Sequence, residues 1–242
     1  MLSEYFSSAI ASTKRLRPQA NLSESRYEWS GTFVKKFACS HSSAVVFDVG
    51  AGDCPLREPV ENAGLEWIGF DLHPTSDQVY AWDLSESCPV QDKKANLILM
   101  LDVIEHLVNP GIALRNISNV LHPDGVILLS MPNPRWSRSR TFHLITGDLS
   151  CFTPHDLYWN HHVFPPWPHV LSKLLKDAGF TIEEYFTLDG KTSWPSPSLS
   201  LTFLPLCLEA AGCKLLERWD PSACGLSYAL VARLDRNLMP DQ

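Results

Sequence analysis

The sequence predicts an α/β fold built around a parallel sheet. Short apolar runs alternate along the chain with segments of helical periodicity, as in repeated strand–helix–strand units. These runs are apolar almost throughout, which is typical of strands buried on both faces of a sheet. The first run ends in a glycine-rich turn, Gly50-Ala-Gly52, and glycines at that place let the backbone approach a ligand closely.

Local patterns predict seven strands and three helices. The strands are expected at 44–50, 67–71, 78–83, 95–101, 126–130, 180–188 and 227–234. The first helix, at 23–38, is predicted from apolar side chains that share one face. The second begins after Asn109-Pro110, an N-cap followed by a first-turn proline, and is closed by Asp124-Gly125. The third runs over 168–178 and ends at Gly179.

Three segments lie outside this alternation. Residues 1–43 are predicted as an N-terminal helical cap, and 44–242 as the main domain. Within that domain, 132–167 is rich in aromatic and histidine residues without periodicity, so it is expected to form a lid loop. Residues 189–225 are an insertion before the last strand. The apolar stretch 199–211 inside it is compatible with three roles: it could close a pocket, form a homodimer contact or lie on a lipid surface.

The composition is that of a globular protein. The 242 residues carry a formal net charge of −7 and no basic cluster, so nucleic acid is not an expected partner. No apolar stretch reaches the ~20 residues that span a bilayer, and residues 1–20 lack the apolar segment of a signal peptide. The seven cysteines show no CxxC spacing, which favours the reducing cytoplasm.

The glycine turn decides between ligand classes. A dinucleotide fingerprint needs a third glycine where this chain has Pro55, and a P-loop needs a Gly-Lys-Ser/Thr that is absent. A nicotinamide-dependent oxidoreductase is therefore not expected. Asp48 precedes the turn by two residues; its carboxylate would repel a phosphate but can hold an ammonium group.

Two further acids end the next strands. Asp71 ends the second strand, where a carboxylate can accept both hydroxyls of a ribose, and Asp83 ends the third strand, where it can accept from an adenine amine. The three acids suit a ligand with an ammonium group, a ribose diol, an adenine and no phosphate. S-adenosylmethionine meets that description.

The chain resembles the class I S-adenosylmethionine-dependent methyltransferases, particularly the branch that acts on small molecules. The resemblance rests on the order and spacing of several motifs, which are Val45-Val-Phe-Asp-Val-Gly-Ala-Gly52, Gly69-Phe-Asp71, Trp82-Asp-Leu84, Leu101-Asp-Val-Ile-Glu-His-Leu107, Leu121-His-Pro-Asp-Gly125, Val126-Ile-Leu-Leu-Ser-Met-Pro-Asn133, His162-Val-Phe-Pro-Pro-Trp167 and Leu174-Leu-Lys-Asp-Ala-Gly-Phe180. It implies a Rossmann-like, mostly parallel sheet of seven strands whose last strand is antiparallel, with helices on both faces.

The resemblance also implies the cofactor site. It places Gly50 and Gly52 beside the methionine part, Asp71 on the ribose, and Asp83 with Leu84 at the adenine. In full, the predicted cofactor-binding residues are Asp48, Gly50, Ala51, Gly52, Asp71, Leu72, Asp83, Leu84, Leu101 and Asp102. The sequence departs from the family at Cys54, where a third loop glycine is usual. Pro55 and Pro59 are expected to shorten or delay the helix that follows the loop.

His106 and His162 are the predicted catalytic residues. An imidazole titrates near neutrality and can take the proton of an acceptor; the competing interpretation is that His106 only caps or packs a helix. Asp102, Glu105 and His106, with His161 or His162, also resemble the divalent-metal set of small-RNA 2′-O-methyltransferases. Carboxylates with imidazoles suit Mg²⁺ or Mn²⁺, so the sequence leaves a metal open.

The predicted function is methyl transfer from S-adenosylmethionine to an oxygen, or secondarily a nitrogen, of a small or medium-sized acceptor. Two alternatives remain from the sequence. One is a metal-assisted RNA 2′-O-methyltransferase; the other is a cofactor-binding accessory protein that has lost catalysis. The identity of the acceptor does not follow from the sequence, because specificity lies in lid residues that no general rule interprets.

Overall fold

All seven predicted strands form, and they lie in one mixed sheet. The computed structural model of the protein describes residues 18–21, 24–190, 192–197 and 203–235. The strands are β1 (Gln19–Ala20), β2 (Val45–Val49), β3 (Glu66–Asp71), β4 (Val79–Ala81), β5 (Ala95–Leu101), β6 (Leu121–Pro132), β7 (Phe180–Leu188) and β8 (Ser227–Leu234). Their order across the sheet is β1-β7-β8-β6-β5-β2-β3-β4.

The strand directions match the prediction. β8 is antiparallel to both of its neighbours, β6 and β7, whereas the other pairs are parallel. The predicted seven-stranded, mostly parallel sheet with an antiparallel last strand is thus confirmed. One strand was not predicted: the two-residue β1, which comes from the N-terminal segment and extends the sheet beyond β7.

The central strands are apolar because the sheet is covered on both faces. In β5, Leu97 and Leu99 pack in one core cluster together with α-helical residues such as Trp29 and Val34. The intervening Ile98 and Met100 pack in the cluster on the opposite face. Since successive side chains of a strand point to opposite faces, burial on both sides requires the continuous apolar run that identified β5.

Six α-helices lie in the described residues: α1 (Arg26–Ala38), α2 (Arg57–Asn62), α3 (Pro110–Val120), α4 (Ser137–Thr146), α5 (Pro168–Asp177) and α6 (Phe203–Trp219). The three predicted helices correspond to α1, α3 and α5. Ser25 and Glu28 form a reciprocal capping box at the start of α1. The Asn109 side chain accepts the Ile112 N–H at the start of α3, as its N-cap position predicted.

The lid and insertion segments are more regular than expected. Each contains a helix, α4 and α6, and the two pack together: the Ser137 hydroxyl donates to Glu217 at 2.7 Å. The sequence hid α4 because its pattern is inverted. It buries Ser137 and Ser139, while Leu144 and Ile145 are each 84% exposed. α6 likewise exposes Leu204, Leu206, Leu208, Leu215 and Trp219; residues 199–202 of the predicted apolar stretch lie outside the described residues.

No helix in the described part of the chain is both long and apolar enough to cross a bilayer. The division into a cap over 1–43 and a domain over 44–242 stays a prediction.

Candidate active site

The glycine loop after β2 has the backbone conformation that its sequence predicted. Gly50 has a φ of +76°, and a Cβ there would lie 2.3 Å from a Val103 methyl group. Both the backbone conformation and the steric contact therefore exclude a side chain at this position. Gly52, at φ +48°, faces open space with nothing within 4 Å of a Cβ position. The loop is held by the Phe70 carbonyl, which accepts the Gly50 and Ala51 N–H groups at 2.8 and 2.9 Å.

The two departures from the family pattern have visible consequences. Cys54, which stands in place of the third glycine, has a φ of +60°, a left-handed conformation that costs a non-glycine residue about 1–2 kcal/mol. The helix after the loop, α2, begins only at Arg57 and has six residues. The expected shortening by Pro55 and Pro59 is therefore confirmed.

A cavity of about 330 Å³ opens beside this loop. Five of the predicted cofactor-binding residues line it: Asp48, Gly50, Ala51, Gly52 and Leu101. Tyr27, from the first turn of α1, lines it as well, and no feature of the sequence had indicated that contribution. The glycine cradle, the free space at Gly52 and the nearby carboxylates fit the predicted cofactor.

Asp48 and Asp71 approach the loop from two strands. Asp71 accepts the Gly52 N–H at 3.0 Å through one carboxylate oxygen and the His73 N–H at 3.0 Å through the other. Asp48 is 4% exposed and accepts from the Trp67 indole at 3.1 Å. Burial raises the pKa of Asp48 to about 6, against the opposing effect of the Trp67 hydrogen bond.

Five predicted residues do not line this cavity: Asp71, which touches it only through the Gly52 N–H, and four residues that lie apart from it. Asp83 is exposed and accepts the Ser85 N–H at 2.8 Å, which lowers the pKa of its carboxyl. Leu72 is 56% exposed, and the Leu84 side chain is buried in the core. Asp102 directly follows Leu101 but lines a second, neighbouring cavity. Their contacts with the cofactor stay predictions.

The second cavity, of about 360 Å³, brings together side chains from distant parts of the chain. Both predicted catalytic residues, His106 and His162, line it. Its other lining residues are Arg26, Asp102, Glu105, Pro132, Cys151, Asn160, Leu226 and Ser227. Four lining residues, Pro132, Cys151, Asn160 and His162, come from the predicted lid, so that segment does form part of the cavity wall. Not every aromatic residue of that segment faces the cavity, since Trp159 is 74% exposed.

The two histidines stand edge to face, with ring centroids 4.9 Å apart. His162 Nδ1 lies 2.6 Å from the Cys151 carbonyl oxygen, which fixes the ring and leaves Nε2 for other contacts. Burial, and then the neighbouring His162, lower the pKa of His106. At neutral pH the His106 ring is consequently uncharged and able to accept a proton.

Glu105 lies beside both imidazoles. Ligand atoms of Glu105, His106 and His162 all fall within 4.8 Å of one another, so these three residues could hold a divalent cation. The sequence left open whether His161 or His162 completes this set. The structure brings His162 to Glu105 and His106, whereas His161 is exposed, with a φ of +56° at the end of a π-helical turn. Glu105 is 1% exposed, and within the described part of the chain neither of its carboxyl oxygens has a hydrogen-bond partner. Burial raises its pKa to about 8.

Arg26 lines the same cavity as Glu105, His106 and His162. Its guanidinium pairs with Asp102 and, at 3.5 Å, with Asp189. Burial raises the pKa of Asp102 although the pairing with Arg26 opposes that rise. No sequence signal indicated Arg26, Cys151, Asn160 or Ser227, because none of them belongs to a motif and each reaches the cavity only through the tertiary fold.

Comparisons with known proteins agree with this geometry. The chain is 29% identical over 180 residues to a mitochondrial ubiquinone biosynthesis O-methyltransferase of Arabidopsis thaliana, covering 63% of this chain and 55% of that protein. It is 26% identical over 155 residues to the ubiquinone biosynthesis O-methyltransferase of Bradyrhizobium diazoefficiens, covering 57% and 59%. The chain thus spans less than two thirds of the length of these curated relatives.

The fold has a counterpart among solved structures. The chain superposes on an S-adenosylmethionine-dependent methyltransferase from Archaeoglobus fulgidus with a TM-score of 0.56 and 19% identity, over 86% of this chain and 94% of that one. The cofactor of that protein is the one predicted here. A family model described as a methyltransferase domain matches residues 22–185, which is more than half of the sequence. The predicted resemblance is confirmed: the chain belongs to the methyltransferase-domain family and has the fold of its S-adenosylmethionine-dependent members.

Proposed function

We propose that the protein transfers a methyl group from S-adenosylmethionine to an oxygen atom of a small acceptor. The observation that carries this proposal is the pair of adjacent cavities. Leu101 lines the cavity at the glycine loop and Asp102, the next residue, lines the cavity of the two histidines. A cofactor in the first and an acceptor in the second would meet at this wall, as a direct transfer requires.

Different residues of the chain would bind the cofactor and act on the acceptor. Asp48, Gly52 and Asp71 would hold the cofactor, which supplies an activated methyl group on a sulfonium. His106 and His162 face the acceptor. A hydroxyl acceptor must lose a proton as its oxygen forms the new bond to carbon, and the uncharged His106 ring is the group that takes it. The named relatives are O-methyltransferases, which supports oxygen ahead of nitrogen.

The charges around the second cavity favour uncharged or cationic acceptors. Its one lining guanidinium, on Arg26, is already paired with Asp102 and Asp189. Glu105 stays largely protonated at neutral pH because its pKa is about 8. Among the lining residues, no arginine or lysine is therefore left to pair with a carboxylate or phosphate on the acceptor.

The test is transfer of an isotopically labelled methyl group to a panel of small hydroxylated compounds, with matched amines and carboxylates. We expect product with hydroxylated acceptors and loss of activity in His106→Asn. Transfer to amines alone would overturn the choice of oxygen. Normal cofactor binding with no transfer to any acceptor would instead support the accessory-protein alternative.

One observation favours the metal-assisted alternative, namely the clustering of Glu105, His106 and His162. The net charge of −7 does not favour RNA as the acceptor. Assays with a chelator, with and without added Mg²⁺ or Mn²⁺, distinguish the cases on both RNA and small acceptors. The predicted homodimer and cytoplasmic location are retained as part of this proposal.

A further inference from the structure

Trp67 is hydrogen-bonded to Asp48, which lines the cofactor cavity. Trp67 itself belongs to none of the family motifs. It is the second residue of β3, and its ring extends along the strand over Gly69. A Cβ at position 69 would lie 2.4 Å from the indole ring, so glycine is needed there to admit the tryptophan. The indole N–H donates to Asp48 Oδ2 at 3.1 Å. A side chain from one strand thereby holds a carboxylate at the end of its neighbour.

The same ring also contacts the helix that follows the glycine loop. The Arg57 guanidinium lies over the Trp67 ring, 5.2 Å from its centroid, and Arg57 is the first residue of α2. Its Nε also pairs with Glu61 at 2.9 Å. Trp67 thus contacts the residue that precedes the glycine loop and the residue that begins the helix after it.

We infer that Trp67 is a positioning residue for the cofactor, whose indole N–H holds the Asp48 carboxylate in the orientation that receives the cofactor's ammonium group. The inference rests on the proposed function, since it takes the cavity beside Asp48 as the cofactor site. Asp48 lines that cavity although it is 4% exposed. Its small exposed part therefore faces the cavity, while Oδ2 is bound to the indole.

The indole matters because the carboxylate is buried. Burial raises the pKa of Asp48 to about 6, and the hydrogen bond from Trp67 opposes that rise. The negative charge of Asp71 raises it further. The other ionisable groups around the loop are Tyr27 and Asp53, which line the same cavity, with Cys54 and Arg57. None of these donates to the Asp48 carboxylate in the contacts described above.

Replacing the indole by a ring without an N–H separates positioning from packing. In Trp67→Phe the ring remains for Arg57, but Asp48 loses its donor. A hydrogen bond to a charged group changes an equilibrium constant by roughly a factor of ten or more. Losing this one should therefore raise the pKa of Asp48 by about 1. A protonated Asp48 does not attract an ammonium group, so cofactor binding should weaken at a higher pH than in the parent.

The measurement is the Kd of S-adenosylhomocysteine, by calorimetry between pH 5.5 and 8.5. We expect the ratio of the Trp67→Phe Kd to the parent Kd to be about threefold larger at pH 6.5, and about eightfold larger at pH 5.5, than at pH 8.5. Trp136→Phe is the matched control. Its ring also lies near an arginine, Arg138 at 5.9 Å, but its indole N–H has no hydrogen-bond partner among the described residues. That variant should keep the parent's pH profile.

A second variant, Asp48→Asn, keeps the indole in place and tests whether the pH dependence of binding belongs to the Asp48 carboxylate. Asp48→Asn should bind weakly with little pH dependence over this range, and adding Trp67→Phe to it should change the Kd less than threefold. A Kd ratio for Trp67→Phe that is constant with pH would overturn the positioning role and leave a packing role only. If the parent itself binds neither S-adenosylhomocysteine nor S-adenosylmethionine, the proposed function fails as well.

Discussion

Asp71 offers the sharpest test of the cofactor site, because its two oxygens already hold the loop. One accepts the Gly52 N–H and the other the His73 N–H, both at 3.0 Å. In Asp71→Asn one oxygen becomes an NH₂ group, which opposes a backbone N–H and removes the charge that the ribose hydroxyls would meet. A hydrogen bond to a charged group contributes ~1.5–3 kcal/mol, so we expect cofactor binding to weaken by about 10- to 150-fold.

Thermal unfolding with added ligand makes this visible. S-adenosylhomocysteine at 100 times its Kd stabilises the parent by ~2.7 kcal/mol, or roughly 5–11 °C for a chain of this size. If the variant binds about 100-fold more weakly, the same concentration equals its Kd and stabilises it by only ~0.4 kcal/mol. The Tm shift should then fall to about 1–2 °C.

Asp77→Asn is the matched control for this experiment. Asp77 is an exposed acid on the same connection between β3 and β4, and the change removes the same charge without touching the glycine loop. It should keep the parent's full shift. A shift of parental size in Asp71→Asn would refute the assignment of Asp71. An equal shift with NAD would refute the choice of cofactor.

Three further predictions concern the second cavity. Glu105 has a pKa of about 8 in the folded protein and near 4.3 when unfolded, so the parent loses stability as pH rises from about 4.5 to 8. Glu105→Gln lacks this loss, and its Tm should rise relative to that of the parent over this range. A Tm difference that does not change with pH would contradict this. His106→Asn should lower kcat about 100-fold or more with an unchanged cofactor Kd, whereas the exposed His161→Asn should not. Arg26→Met should destabilise by about 1–3 kcal/mol, and less when Asp102→Asn is already present, which a double-mutant cycle in urea measures.

Seven strands of the sheet could be predicted from the sequence because each of them carries its own signal, which the two-residue β1 does not. β5 is apolar on both faces, and β2 is followed directly by Gly50, where both φ and the approach of Val103 require glycine. These are local constraints, and a local pattern can report them. The glycine-loop residues that line the first cavity were predictable for the same reason, since they are adjacent in the chain.

The second cavity could be predicted only in part. His106 follows β5 and belongs to a motif, but Arg26 reaches it from α1, Cys151 and His162 from the lid, and Ser227 from the start of β8. No periodicity connects such distant positions. The lid helix α4 was missed for a different physical reason: it buries serines against α6 and exposes Leu144 and Ile145, which reverses the amphipathic pattern that marks a helix.

The first turn of α1 serves both cavities at once. Arg26 lines the cavity of the two histidines and Tyr27 lines the cavity at the glycine loop, and consecutive residues of one helical turn do not move independently. A ligand that shifts this turn in either cavity changes the wall of the other. Thermodynamic linkage then makes the effect reciprocal: if the cofactor tightens the binding of an acceptor by some factor, the acceptor tightens the binding of the cofactor by the same factor.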